Sequence, residues 1–420
     1  MKRFLLLLFF SVICLSCDRI DNDNQYLNST VSAEMRPTTE IQGLPLTKVQ
    51  ETYVLNSSSF GLELLTHILQ NRQNEGFVYS PLSLQYLVGM LSNIVDAESQ
   101  EKMIKAVYAT DCKSSDLNSY LRILINYLPA LDLNTTISIA NIMLLSNIFD
   151  FNNSGFDIIE DNYQALTCCV DFTDKSLPRH INTWISNHTN GLIDNMVSEA
   201  FTTSTVTFTA NSSYFSAPWA VPFNKAITKS SEFTSIENKK TNVSMMESTD
   251  IYNYYEDTDL QLVEIPYGNG KFVMDIILPK HNDLQETITL LKDNMWNSYK
   301  SNISKTLVNV FLPSFELVTS LDMKQLMVSG GWNFMNTYII LDSHSGGNAG
   351  LEKILQKTSI SVGEYGTKVS SASSGESEID WGIGDADITP KLFNADHPFI
   401  FIISDVKSDV ILFAGAYTGK

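Results

Sequence analysis

The chain has 420 residues, 44% of them hydrophobic and 18% charged, with 28 basic against 47 acidic residues for a net charge of −19. That much apolar material excludes an intrinsically disordered chain and suffices for a large core. The negative balance excludes electrostatic binding to nucleic acid or anionic lipid, and five cysteines are too few for a disulfide scaffold.

Lys2 and Arg3 precede an apolar run from Phe4 to Ile13, closed by Leu15-Ser16-Cys17. The run is too short to span a bilayer, which needs about 20 apolar residues, and has the layout of a secretory leader. Ending on Cys17, it resembles a bacterial lipoprotein signal, in which cleavage leaves that cysteine as a lipidated N-terminus. Cys14 stands where such signals usually carry leucine, and an ordinary secretory leader is the alternative. Residues 17–50 are rich in Asn, Asp, Ser, Thr, Gln and Glu and read as a polar tether. Asp18, Asp21 and Asp23 resemble acidic sorting signals of surface lipoproteins, or are solvated linker charges. The expectation is a signal over 1–16, a tether over 17–50 and one domain over 51–420. The product would be exported to a bacterial outer membrane or cell surface, or secreted. Cys112, Cys168 and Cys169 are odd in number and include two neighbours, so buried free thiols are expected.

Past the tether no linker or repeat divides the chain, although length alone allows two or three domains. Leu84, Leu87, Val88 and Leu91 line one face of a helix begun by Ser80-Pro81. Ile181, Trp184 and Ile185 repeat that spacing, and Gly191 can end their helix. Gln261 to Tyr267 and Phe272 to Pro279 flank Gly268-Asn269-Gly270 as a hairpin. Leu307 to Leu312, Pro398 to Ile403 and Val410 to Tyr417 read as strands, the last two buried on both faces. Helices early and strands late, without alternation, indicate an α+β fold.

Catalytic patterns are weak. Ser345-Gly346-Gly347 lacks the partners of a nucleophilic serine, and Gly268-Asn269-Gly270 lacks the context of a phosphate cradle. The six histidines show no metal-ligand spacing, and Asp385 with Asp387 are too few for a calcium loop. Neither an enzyme nor a cofactor is expected.

The stretch from Ser359 to Phe401 is more specific. After a strand around Ile360 and Val362, broken by Gly363-Glu364-Tyr365-Gly366, the odd positions from Thr367 to Ile379 are all small or apolar. Lys368, Glu376, Glu378 and Asp380 put every charge on even positions. This is the period of a strand with one buried face, yet its serines are at ease in water. A loop able to enter a sheet needs both properties; a flexible serine-rich surface loop is the alternative.

At these residues the chain resembles a serpin. EYGTKVSSAS (Glu364 to Ser373) is similar to the reactive-loop hinge and FNADHPFIF (Phe393 to Phe401) to the C-terminal signature. FVYSPLSLQYLVGMLS (Phe77 to Ser92), INTWISNHTNGLI (Ile181 to Ile193), ANSSYFSAPWAVPF (Ala210 to Phe223) and LPSFELVTSLDMKQLMVSGG (Leu312 to Gly331) match in order. The resemblance implies helices packed on three β-sheets, with a central five-stranded sheet and an exposed, insertable reactive loop over about 364–391. It implies inhibition of serine, or cysteine, endopeptidases by an expected monomer. The loop is cut as a substrate, an acyl-enzyme forms, and insertion of the loop traps the enzyme as a covalent complex. About ten new ladder hydrogen bonds at roughly 1 kcal/mol each suffice to distort an active site. A non-inhibitory serpin-fold binding lipoprotein is the alternative.

By the same resemblance the hinge comprises Glu364, Gly366, Thr367, Val369, Ser371 and Ser373, and a shutter beneath the sheet comprises Ser80, Pro81, Ser83, Asn211 and Gln356. Gln356 stands where many members carry histidine, Gly76 where they carry asparagine, Val369 where alanine is customary and Lys368 where an acid is, the last expected on the solvent face. Counting from Glu364 puts the scissile bond at Asp380-Trp381; Ile379 and Asp387 are the alternatives. Aspartate before the cut favours proteases with a basic specificity pocket, and Ile379 keeps elastase-like enzymes in play. The acidic Glu376, Glu378, Asp380, Asp385 and Asp387 should repel proteases with acidic clefts. No nucleic acid is expected as a partner, and a membrane only through a lipid on Cys17.

Overall fold

The computed structural model describes residues 38–72, 75–109, 112–148, 154–189, 191, 193–281, 283–291, 295–332, 334, 354–368 and 389–419. The leader with Cys17, the tether up to residue 37, and the loop positions Val369, Ser371, Ser373, Ile379, Asp380, Trp381 and Asp387 lie outside them.

Six helices form in the first half: α1 (Lys48–Arg72), α2 (Pro81–Ser92), α3 (Ala97–Tyr108), α4 (Ser114–Tyr127), α5 (Ser154–Tyr163) and α6 (Leu177–His188). Shorter α7 (Leu284–Leu290), α8 (Met295–Asn302) and α9 (Met323–Ser329) follow. The Ser80 hydroxyl accepts the Ser83 N–H at 3.1 Å and Pro81 opens the first turn, which starts α2 where the sequence places it. Every residue of α2 is buried, so this helix is the centre of the fold rather than a surface stripe.

The strands are β1 (Phe77–Tyr79), β2 (Thr136–Ser146), β3 (Ala165–Val170), β4 (Thr207–Pro218), β5 (Lys229–Thr234), β6 (Lys240–Glu256), β7 (Leu260–Pro266) and β8 (Phe272–Pro279). They continue as β9 (Ser304–Pro313), β10 (Phe315–Asp322), β11 (Ile354–Gly363), β12 (Gly366–Thr367), β13 (Lys391–Asn394), β14 (Phe399–Asp405) and β15 (Ile411–Tyr417). One sheet runs β10-β11-β12-β4-β2-β3, which is five full strands plus the two-residue β12. The other strands run β1-β15-β14-β8-β7-β6-β9-β13, with β5 beside β6. The first part of β6 pairs with β5 and its last part with β7, so two of the three expected sheets share one long strand and one hydrogen-bonded network.

The main core lies between the two networks and around α2; a second, smaller cluster fills the other face of the first sheet, under α6. Ala140, Ile142, Phe208 and Ala210 of the sheet meet Leu177, Ile181 and Trp184 of α6 there. The hairpin at Gly268-Asn269-Gly270 forms as expected, with both glycines at positive φ.

Two expectations change. Residues 38–50 are not free tether: α1 begins at Lys48, and Ile41, Leu44 and Leu46 pack against the core ahead of it. Ile41 N donates to Ala130 O at 2.9 Å, and Glu40 accepts from Leu133 N and from Asn269 Nδ2. Three apolar side chains spaced through a polar stretch are enough to dock it. The free thiols Cys112, Cys168 and Cys169 are half-buried rather than buried, because β3 is an edge strand and Cys112 sits in the link before α4.

Candidate functional site

Between β4 and β11 the first sheet is open at one end. The two strands pair directly and in parallel from Thr209↔Ile354 to Ser213↔Thr358. Further along, β12 enters between them, with Gly366↔Pro218 and Thr367↔Ala217 on one side and Gly366↔Gly363 and Thr367↔Val362 on the other. Residues 214–216 of β4 and 359–361 of β11 lie in between, and no ladder joins them to each other. A sheet held apart this way has a place prepared for one more strand.

The entering residues are gripped closely. Thr367 is fully buried, as its odd position predicts, and its hydroxyl shares a 2.5 Å hydrogen bond with the Tyr267 hydroxyl. Burial pushes the Tyr267 phenol well above its ordinary value, so it stays neutral. Tyr267 stacks on Trp219 at 4.3 Å between ring centroids. Trp219 Nε1 donates to Gly363 O at 2.9 Å, Trp219 N to Tyr365 O at 3.0 Å, and Phe223 N to Glu364 O at 2.9 Å. The turn that carries Glu364 is thus tied by backbone and indole to the segment after β4. Gly366 has φ +145°, and a Cβ there would lie 2.1 Å from Ala217 O.

Gly366→Ala should therefore expel β12 from the sheet, since strain of a few kcal/mol exceeds what two ladder pairs hold. The readout is a red-shifted Trp219 fluorescence together with faster exchange of the Trp219 amide hydrogen. Unchanged exchange would contradict it.

Lys368 ends the entry. Its N–H reaches Ser361 O at 2.6 Å, but φ +50° turns the chain out of the strand, and Ser216 Oγ caps its carbonyl at 3.3 Å. Its ammonium stands 6.0 Å over the Tyr214 ring, and partial burial lowers its pKa. The even position does face away from the main core, yet the side chain lies along the sheet rather than free in solvent.

Below the opening, Gln356 is fully engaged with the start of α2. Its Oε1 accepts Ser80 N and its Nε2 donates to Ser80 O, both at 2.9 Å, while Ser80 Oγ donates to Leu412 O at 2.7 Å. Asn211 lies opposite Gln356 in the register but turns the other way, donating to Asn141 Oδ1 at 2.6 Å. Of the five expected shutter residues, Ser80, Pro81, Ser83 and Gln356 come together, and Asn211 belongs to a neighbouring network through Asn141 and Tyr163.

The far end of the loop is anchored at β13, parallel to β9. Lys391 Nζ binds Glu256 Oε1 at 2.7 Å and Lys280 binds the other oxygen at 3.2 Å. These bonds, Lys391 first, hold the Glu256 carboxyl down to about 2. Sequence reasoning missed Tyr267, Ser216 and Glu256. Each acts through a partner about 100 or more residues away, and local spacing carries no sign of it.

A central sheet already parted by the first residues of a loop defines a strand-accepting protein. The sequence profile of the serpins (serine protease inhibitors) matches residues 55–419, and the chain belongs to that family. The chain is 26% identical to an uncharacterized serpin-like protein of Thermococcus kodakarensis over 90% of each chain. With the leukocyte elastase inhibitor of Xenopus laevis it shares 28% identity, covering 86% of this chain and 97% of that one. Among solved structures, the thermophilic serpin tengpin in its native state superimposes with a TM-score of 0.78 at 26% identity, covering 91% of this chain and 97% of that one. Proteins of this family are in general protease inhibitors rather than enzymes.

Proposed function

We propose that the chain is a suicide inhibitor of serine, or cysteine, endopeptidases, exported and tethered to a bacterial surface through a lipid on Cys17. The observation that carries this reading is the β12 stub, seated between two strands with three unpaired residues on each side ahead of it. A protease that attacks the loop at Asp380-Trp381, or at Ile379 or Asp387, forms an acyl-enzyme. The freed loop end then follows Gly366 and Thr367 into the sheet, displacing five direct β4–β11 pairs and drawing the enzyme with it. The anchor at Lys391 and Glu256 keeps the opposite side of the cut in place. The acidic loop residues favour enzymes with a basic pocket.

The test is incubation with an elastase and with an Asp-specific protease, followed by denaturing gels and sequencing of the released C-terminal peptide. An SDS-stable complex and a peptide beginning at Trp381 are expected. Clean cleavage without a complex by every protease tried would instead support a binding lipoprotein on the same fold. For the anchor, metabolic labelling with a radiolabelled fatty acid should mark the protein and fail to mark Cys17→Ser.

A further inference from the structure

The seam where β4 and β11 pair directly contains an unusual set of polar atoms. The hydroxyls of Thr207, Thr209, Ser213 and Thr358 and the Oδ1 of Asn211 have no hydrogen-bond partner within the described chain. All five side chains are buried, Thr209 and Asn211 completely. On β4 they occupy alternate positions, and Thr358 is the register partner of Ser213, so they share one face of the sheet. That face is the one carrying Phe215, Ile360 and Val362 toward the main core. Each buried polar atom left unpaired costs about 1–3 kcal/mol, and folded proteins keep few of them. Here they are gathered along the one seam that has to part.

We propose that this lane is a receiving site for the side chains of residues 369–377, whose serines are spaced to satisfy it. The inference rests on the inhibitor reading above and adds which side chains decide how firmly the cut loop is held.

The β12 stub fixes the register, because it is already paired to both neighbours. Continued one for one, the antiparallel pairing sets Val369 between Phe215 and Ile360, both buried and apolar. Ser371 then falls between Ser213 and Thr358, and Ser373 between Asn211 and Gln356. Gly375 falls between Thr209 and Ile354, and Ser377 beside Thr207. Apolar meets apolar, and three of the four serine or glycine positions bring a hydroxyl to an unpartnered oxygen. Directly opposed residues on neighbouring strands have Cβ atoms about 5 Å apart, within which serine and threonine hydroxyls bond to each other. The intervening residues turn toward α6, where Ser374 would meet only Ala210 and Leu355. Val369, which departs from the customary alanine, is matched to an apolar pair rather than to the polar lane.

The experiment compares guanidinium unfolding midpoints of the full chain before and after loop cleavage. The proteins are wild type, Ser371→Ala/Ser373→Ala, Ser374→Ala and Thr358→Val. Wild type should gain stability on cleavage. The double serine variant should match wild type uncleaved and lose about 0.1–0.3 M per serine in the cleaved form. Ser374→Ala should match wild type in both forms. Thr358→Val, which removes an unpartnered hydroxyl, should raise the uncleaved midpoint and shrink the gain on cleavage. If wild type gains stability but the double serine variant gains equally, the lane is overturned and the inhibitor reading stands. If wild type gains nothing, the inhibitor reading fails and the lane with it.

Discussion

Thr367→Arg is expected to turn the protein from an inhibitor into a substrate, with the molar ratio needed to silence a protease rising about tenfold or more. Thr367 is fully buried between Ala217 and Val362, with its hydroxyl on Tyr267. An arginine at that point would have to place an unpaired guanidinium among Tyr267, Trp219 and Phe215, at a cost of several kcal/mol. The loop itself remains intact, so the rate of cleavage should hardly change; only the first step of insertion slows. When insertion lags behind hydrolysis of the acyl-enzyme, the protease leaves unharmed. Titration of residual protease activity against inhibitor measures the ratio, and an unchanged ratio would rule out this entry route. Thr367→Val, which keeps the shape and only strands the Tyr267 hydroxyl, should cost about 1–3 kcal/mol and retain inhibition.

Lys300→Met should cost about 3–5 kcal/mol of stability. Glu264 and Asp275 stand directly opposite each other on β7 and β8, and both are buried. Lys300 from α8 reaches between them, 2.5 Å from Glu264 Oε2 and 2.8 Å from Asp275 Oδ1, with its ammonium 5.5 Å from the Trp296 ring centroid. Without the ammonium, two carboxylates face each other out of water. Even with it, burial dominates at Asp275 and pushes its carboxyl up to about 6. A carboxyl raised above its unfolded value favours the folded state most below about pH 4, and that contribution is lost as the pH rises through about 6. Asp275→Asn should therefore gain on wild type by about 3 kcal/mol between pH 4 and pH 7. Denaturant unfolding of the two proteins across that range reads the difference directly. Parallel pH curves would show that Asp275 is ionised throughout.

Much of the scaffold could be read from residue order because its causes are local. Ser80-Pro81 starts a helix wherever an apolar stripe follows, and Gly268-Asn269-Gly270 turns a hairpin whatever surrounds it. The unbroken apolar runs became β14 and β15, buried along their whole length. The parity of the loop was equally visible, and Thr367 obeys it. What escaped was everything fixed by register between distant segments. Lys300, Glu264 and Asp275 lie in three separate elements, and nothing near any of them announces a charge cluster. The hydroxyls of Thr209, Ser213 and Thr358 look like ordinary strand residues until β4 and β11 are set side by side. Composition misled at Ile41, Leu44 and Leu46, where few apolar residues in a polar stretch were enough to dock it.

The pairing of β1 with β15 joins Phe77 to Ala416 and Tyr79 to Ala414. Gly415 is wedged so tightly there that a Cβ would stand 2.2 Å from Phe77 O. A strand formed early in synthesis thus waits for almost the last residues made before it finds its neighbour, and the contact closes a loop of more than 300 residues. While the ribosome is still at work, the main core cannot shut. A nascent chain of this kind stays threadable until its final strand emerges, so a translocation channel that accepts only extended polypeptide would have no finished fold to pull apart.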